Sequence, residues 1–157
     1  MRALGLDLGS KRIGVALSDS GGTLATPYEV VARSGDRRRD HRRILELAAE
    51  AEAEAIVVGL PLSLDGSVGP AARKALAEAA ELGATTDLPV ETYDERLSTV
   101  TADRLLMEMD LDAAARRRVV DKVAAAVILQ AWLDHRAAAP HPIAEPDPRA
   151  QDAEHRP

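Results

Sequence analysis

Three acidic residues in distant parts of the chain could together perform chemistry on phosphate. Asp7 lies in the first predicted strand, Glu95 at the end of a later strand, and Asp121 in the last predicted helix. Brought together, three carboxylates would repel one another unless divalent cations neutralised them, and ligands with oxygen alone suit Mg²⁺ or Mn²⁺. Such cations activate a water for attack on phosphorus. We therefore expect a metal-dependent phosphodiesterase in which all three residues are catalytic and bind the metal.

Each of these carboxylates also has a purely structural explanation. Asp7 could cap the turn that follows its strand, and Asp94 and Glu95 could be first-turn acids that favour the dipole of the next helix. Asp121 borders the apolar stripe of its helix, where a carboxylate needs an N-cap role, a basic partner such as Arg117, or a metal. Only the combination of the three favours the metal site.

Glycines flank the first carboxylate. Because side chains alternate along a strand, Asp7 shares its face with Gly5 and Gly9. These two positions are expected to leave room for a cation and for the oxygens of a phosphate. Gly9 and Gly14 would also let backbone amides approach closely.

The elements that must position these residues follow from hydrophobic periodicity and turn signals. Strands are predicted over 3–9, 13–18, 28–32, 55–61 and 88–95, and helices over 37–53, 70–82, 98–109 and 119–135. Three strands come first, and then helices and strands alternate. This order predicts an α/β fold with a mixed five-stranded sheet, antiparallel at its start and parallel later, flanked by helices.

Length and composition predict one domain over residues 1–136. The remaining residues, 137–157, hold five of the nine prolines and four carboxylates, which is typical of a disordered tail. The chain has no cysteine, so disulfides, thiolate nucleophiles and cysteine zinc sites are excluded. No apolar run approaches the roughly 18 residues that a membrane span needs, and we expect a cytoplasmic protein.

The charge pattern gives a mixed indication about nucleic acid. The net charge of −6 argues mildly against such a partner, whereas six arginines cluster between Arg33 and Arg43. That cluster could follow phosphates or could be the solvated start of a helix. Three aromatic residues argue against a base-stacking platform. His41 and His135 lie on polar helical stretches and are expected at the surface, so they do not indicate zinc.

Four ordered motifs between residues 4 and 134 carry a family resemblance. They are LDLGSKRIGVALSD, VVGLPLSLDGSVG, DERLST and VVDKVAAAVILQAWLD, and they resemble the YqgF/RuvX family of bacterial Holliday-junction-resolvase-like nucleases. The resemblance implies an RNase H-like fold and processing of the 5′ end of the 16S ribosomal RNA precursor; resolution of four-way DNA junctions is attributed to some members. It also puts the family's acidic triad on Asp7, Glu95 and Asp121. The chain departs mildly from the pattern, with Ser98 at a common Thr and Leu64 at a frequent Met.

The resulting expectation is a hydrolase of nucleic acid, with Lys11, Arg12 and Arg96 binding the substrate. Lys11 and Arg12 could instead be solvated turn residues. A homodimer is a further expectation if the substrate is a symmetric four-way junction, which would need two sites related by a twofold axis. Processing of RNA would not need a dimer, and it implies an association with the ribosome or its precursor.

Two other functions stay open at this stage. The pattern Asp7-x-Gly9 followed by Gly14 also matches the first phosphate loop of actin-like ATPases and sugar kinases, although 157 residues do not supply the second lobe that such proteins need. Alternatively, the chain could bind RNA during ribosome assembly without cutting it. No GxSxG or GxxxxGK[ST] motif indicates another hydrolase or a P-loop enzyme.

Overall fold

A mixed sheet of five strands forms the centre of the structure, a computed structural model that describes residues 1–98 and 113–138. For residues 97–98 and 113–122 it describes the backbone alone. The strands are β1 (Ala3–Leu8), β2 (Arg12–Ser18), β3 (Ala25–Ala32), β4 (Ala55–Leu60) and β5 (Val90–Asp94). The helices are α1 (Arg37–Glu50), α2 (Pro70–Gly83) and α3 (Ala113–Ala138), and a 3₁₀ turn covers Glu95–Ser98.

The strand order confirms the predicted mixed sheet. It is β3-β2-β1-β4-β5, with β1, β2 and β3 antiparallel in sequence and with β4 parallel to both β1 and β5. The carboxyl ends of β1, β4 and β5 therefore meet at one edge of the sheet, which is where open α/β sheets place their sites. Asp7 lies near the end of β1 and Glu95 directly follows β5.

Helices cover both faces of the sheet because the inner strands are apolar on both sides. One face carries Leu4, Leu6 and Val58, which form a core with residues of α1 and α2 such as Ile44 and Leu82. The opposite face packs against α3 and forms a second core, whose buried members include Ala3, Ala16, Val57, Ile128, Leu129 and Trp132. Burial of each large side chain of this kind contributes about 1.5–3 kcal/mol.

Several element boundaries differ from the predicted ones, and at the start of three elements the difference is two residues or more. Strand β3 begins at Ala25 instead of residue 28, because an irregularity between Val15 and Ala16 lets Pro27 pair at the edge of the sheet. Helix α3 begins at Ala113 instead of residue 119, since the Ala-Ala-Ala-Arg-Arg-Arg run consists of the strongest helix formers. Strand β5 begins at Val90 instead of residue 88.

Two predicted segments lie largely outside the described residues. Of the helix predicted over 98–109, only Ser98 is described, and it belongs to the 3₁₀ turn. Of the tail predicted over 137–157, only residues 137 and 138 are described, and they form the end of α3. In the part of the chain that is described, no helix is both long and apolar enough to cross a membrane.

The two glycines beside Asp7 differ in their surroundings. A Cβ atom at Gly5 would lie 2.7 Å from Cβ of Leu129 and 3.0 Å from the carbonyl oxygen of Ala125. Helix α3 therefore fills the space beside Gly5 that was expected to leave room for a cation. A Cβ atom at Gly9 would lie 2.5 Å from the carbonyl oxygen of Arg12, but Gly9 also lines the cavities that Asp7 borders.

The substitution Gly5→Ala tests the close approach of α3 to β1. The added methyl group would force α3 away from the sheet, and we expect a loss of about 1–3 kcal/mol in the free energy of unfolding, measured by chemical denaturation. Gly21→Ala is the matched control, because no atom lies within 4 Å of a Cβ at that position. Equal stabilities of the two variants would contradict this account of the packing.

Candidate active site

Two of the three predicted carboxylates line one cleft at the carboxyl edge of the sheet. Asp7 and Glu95 border a cavity of about 720 Å³ that also reaches Gly59 and the start of α2. Asp7 arrives there from β1, where it pairs with Gly14 of β2, and Glu95 arrives from the 3₁₀ turn after β5. The topology thus brings together residues that are 88 positions apart in the sequence.

Gly59 of β4 has no side chain, and this lets Glu95 reach the cleft. A Cβ atom at Gly59 would lie 2.6 Å from Oε1 of Glu95 and 2.5 Å from Cδ1 of Ile128. Any larger residue at position 59 would therefore displace the carboxylate, the helix, or both. Ile128 of α3 and the Glu95 carboxylate thus share the space that a side chain at position 59 would occupy.

The two carboxylates interact electrostatically. Burial, followed by the nearby charges of Asp7 and then Asp94, raises the pKa of Glu95 from 4.5 to about 7. A half-buried carboxyl group that holds its proton near neutral pH is stabilised as an anion when a cation lies beside it. The oxygen donors of Asp7 and Glu95 fit a hard divalent cation.

The third predicted carboxylate, Asp121, lies in α3 with its side chain outside the described residues. Its position precedes Ala125 by one helical turn. The Cβ atom of Ala125 lies 3.5 Å from the point that a Cβ of Gly14 would occupy, and Gly14 is the pairing partner of Asp7. Among the described side chains no group of three could hold a metal ion, and Asp121 as third ligand stays a prediction.

The basic residues predicted to bind substrate have different surroundings. Lys11 and Arg12 lie at the turn between β1 and β2, and with Asp7 they line a second cleft of about 430 Å³. Arg96 donates from Nε and Nη2 to the carboxylate of Asp94, with distances of 2.6–3.1 Å, and from Nη1 to the carbonyl oxygen of Leu64 at 3.2 Å. Arg96 thereby fastens the loop between β4 and α2 to the end of β5.

A buried ionic cluster beside the cleft was not foreseen. Glu78 of α2 lines the same cavity as Asp7 and Glu95 and is only 4% exposed. Its Oε1 accepts from Nη2 of Arg33 at 2.8 Å, and its Oε2 accepts from Nη1 of Arg33 at 3.0 Å and lies 2.8 Å from Nε2 of His41. Burial alone would raise the pKa of Glu78, but hydrogen bonds from Arg33 and His41 outweigh it and lower that pKa.

This cluster corrects the placement of one histidine. His41 is 5% exposed, so the expectation of a surface residue is wrong, whereas His135 is exposed as predicted. Helical spacing could have signalled the cluster, because Glu78 lies among the buried positions Ala75, Ala79 and Leu82 of α2.

Much of the arginine cluster binds carboxylates of this chain. Besides Arg33, the Arg37 guanidinium lies 2.9 Å from Glu81 and that of Arg43 lies 3.2 Å from Glu46. These pairs reduce the positive charge that the cluster presents to other molecules.

The architecture defines the class of protein. It resembles RuvC of T. thermophilus, solved in complex with a Holliday junction substrate, with a TM-score of 0.54 and 20% identity over 91% of this chain and 99% of that one. At this identity the likeness concerns the fold, which is RNase H-like.

The family follows from the sequence comparison. The model of the RuvX family, described as Holliday junction resolvase, matches residues 1–135. This chain belongs to the RuvX family, as its motifs predicted, and is therefore an enzyme of the nuclease class. Family membership favours the nuclease over an actin-like ATPase.

Relatives in other bacteria share most of their length with this chain. A protein of Pelotomaculum thermopropionicum is 49% identical over 134 residues, which are 85% of this chain and 87% of that protein. One of Rhodococcus opacus is 50% identical over 139 residues, covering 86% of this chain and 78% of that protein. Both are named "Putative pre-16S rRNA nuclease".

Removing the charge of Asp7 should change the titration of Glu95. We expect Asp7→Asn to lower the pKa of the Glu95 carboxyl from about 7 while leaving it above 4.5, because burial is the larger cause. A pH titration of the side-chain carboxyl signal by NMR measures this value. Asp65→Asn, on an exposed loop, is the control. An unchanged pKa in Asp7→Asn would show that the two carboxylates do not interact.

Stability should also depend on pH through Glu95. Because its pKa is raised from 4.5 to about 7, the folded state favours the protonated carboxyl, and its contribution is lost as the pH rises through this window. In EDTA, Glu95→Gln should remove this loss. At high pH its free energy of unfolding should exceed that of wild type by on the order of 1–3 kcal/mol. Denaturation curves at several pH values test this. Parallel pH profiles of the two proteins would contradict it.

Proposed function

We propose that this protein is a metal-dependent nuclease that hydrolyses phosphodiester bonds at the 5′ end of the 16S ribosomal RNA precursor, in the cytoplasm. The observation that carries the proposal is the meeting of Asp7 and Glu95 at one cleft of an RNase H-like fold. The names of the relatives support the choice of substrate.

The carboxylates have defined roles in this proposal. Asp7 and Glu95, with Asp121 as the third ligand, would hold Mg²⁺ or Mn²⁺. When bound, the cation supplies an activated water and stabilises the leaving oxygen. Glu95 must lose its proton before its oxygens can bind a cation, so cation affinity should rise with pH up to about 7. Asp7 supplies an anionic oxygen from the rigid end of a central strand.

The net charge of −6 gives no overall attraction for nucleic acid, so basic side chains near the cleft would have to hold the substrate. Lys11 and Arg12 stand on the turn that immediately follows the strand of Asp7, where they can hold phosphates on one side of the scissile bond. Lys74 lines the larger cleft, which Asp7 and Glu95 border. Arg96 keeps 37% of its side chain exposed despite its bonds to Asp94, and we propose it as a further contact.

A four-way DNA junction is the second candidate substrate. It is favoured by the description of the family as Holliday junction resolvase. This activity would require a homodimer, because the two strands that are cut lie symmetrically about the centre of the junction. Processing of RNA needs a single site and would instead bring the protein to the ribosome precursor.

Cleavage assays test the proposal. Purified protein is incubated with a 16S precursor fragment and with a four-way junction, in Mn²⁺, Mg²⁺ or EDTA. We expect cutting of the RNA in either metal and none in EDTA, with Asp7→Asn and Glu95→Gln each reducing the rate roughly a hundredfold or more.

Asp87→Asn is the matched control, because this exposed carboxylate precedes β5, at the end of the strand opposite Glu95, and should leave the rate unchanged. Equal cutting by the two active-site variants would refute the assignment of the carboxylates. Preferential cutting of the junction would favour the second candidate. Binding of RNA without any cutting would favour a role in ribosome assembly alone.

A further inference from the structure

We propose that Arg33 is a positioning residue that fixes the turn between β1 and β2. By holding this turn, Arg33 also positions the Asp7 carboxylate and the basic residues Lys11 and Arg12. The inference deepens the proposed function, because this turn carries a proposed metal ligand and two proposed substrate contacts.

Arg33 holds the turn at two points. Its backbone N–H donates to the carbonyl oxygen of Lys11 at 3.0 Å, and its Nε donates to the carbonyl oxygen of Gly9 at 2.7 Å. The N–H of Gly9 in turn donates to the carbonyl oxygen of Asp7 at 3.1 Å. One residue after β3 therefore determines the path of the chain from Asp7 to Lys11.

The two helices on one face of the sheet hold Arg33 in place. Glu78 of α2 accepts from both terminal nitrogens of the guanidinium, and His41 of α1 contacts the same carboxylate. Glu78 and His41 are 4% and 5% exposed, so water does not compete with these bonds. The turn is thus connected to both helices through a single planar group, which lysine cannot replace because it lacks the fork of donors.

The same contacts argue against other roles for these residues. All three nitrogens of the Arg33 guanidinium donate within the chain, and its side chain is 18% exposed, which disfavours a direct phosphate contact. Glu78 lines the carboxylate cleft, yet both of its oxygens are engaged by Arg33 and His41. This disfavours Glu78 as a ligand for the cation.

Stability alone does not account for such a cluster. Buried ion pairs often can be replaced by apolar residues of similar volume without loss of stability, because desolvation offsets their attraction. The cluster borders the cleft of Asp7 and Glu95 and ends on the backbone that follows Asp7. A role in holding that backbone explains why the cluster lies beside the cleft and why Arg33 bonds to the chain just after Asp7.

The test compares Arg33→Lys with Arg43→Lys. The control residue lies on α1, pairs with Glu46 at the surface and lies outside the buried cluster of Glu78. Backbone order parameters of residues 9–12 are measured by NMR, together with kcat and KM for the RNA fragment in Mn²⁺ and the free energy of unfolding. In Arg33→Lys we expect the order parameters to fall from about 0.85 towards 0.6 and kcat to fall at least about tenfold. Arg43→Lys should match wild type.

A second variant keeps the proposal testable if Arg33→Lys folds poorly. Glu78→Gln leaves Arg33 unchanged but weakens the group that orients it, and should loosen the same turn. The effects of the two substitutions on kcat should not add in the double variant, because both act through one set of bonds.

Wild-type order parameters and kcat in a folded Arg33→Lys would overturn the proposal, as would a loss of global stability with kcat unchanged. The order parameters do not depend on nuclease activity. If wild type cuts neither substrate, the proposed function fails while the order parameters still decide the role of Arg33.

Discussion

The placement of Asp7 and Glu95 side by side in a partly buried cleft is the constraint that the rest of the structure must accommodate. Burial disfavours the ionised form of Glu95, the charge of Asp7 adds to this effect, and together they raise the pKa of Glu95 to about 7. The fold holds them together nonetheless, because each is attached to a strand end of one continuous sheet. A site that is unfavourable without a cation is well suited to bind one.

Backbone packing, more than side-chain contact, sets the dimensions of this site. At Gly5 and Gly59 the absence of a Cβ atom lets α3 lie directly against β1 and β4. The same absence at Gly59 leaves space for the Glu95 carboxylate. The packing of α3 and the access of Glu95 to the cleft therefore both depend on the glycine at position 59. A side chain at that position would disturb both together.

The sequence predicted most of the fold because its signals are local. Period-two and helical patterns, with glycine and proline at the ends of elements, identified the strands and the described helices within a few residues. The largest difference, at the start of α3, arose where alanine and arginine extend the helix without an apolar pattern. Pairing of Asp7 with Glu95 was inferred from their types and from the family resemblance, and the tertiary structure brings both to one cleft.

Residue types and their order determined the fold class, the family and the candidate carboxylates of this protein. Only the tertiary structure decided what surrounds them. It packed α3 against Gly5, buried His41 and joined Arg33 to Glu78 across 45 positions of the chain. These facts depend on contacts between distant segments. Helical spacing can indicate that a residue such as Glu78 is buried, but it does not indicate which distant residue it contacts.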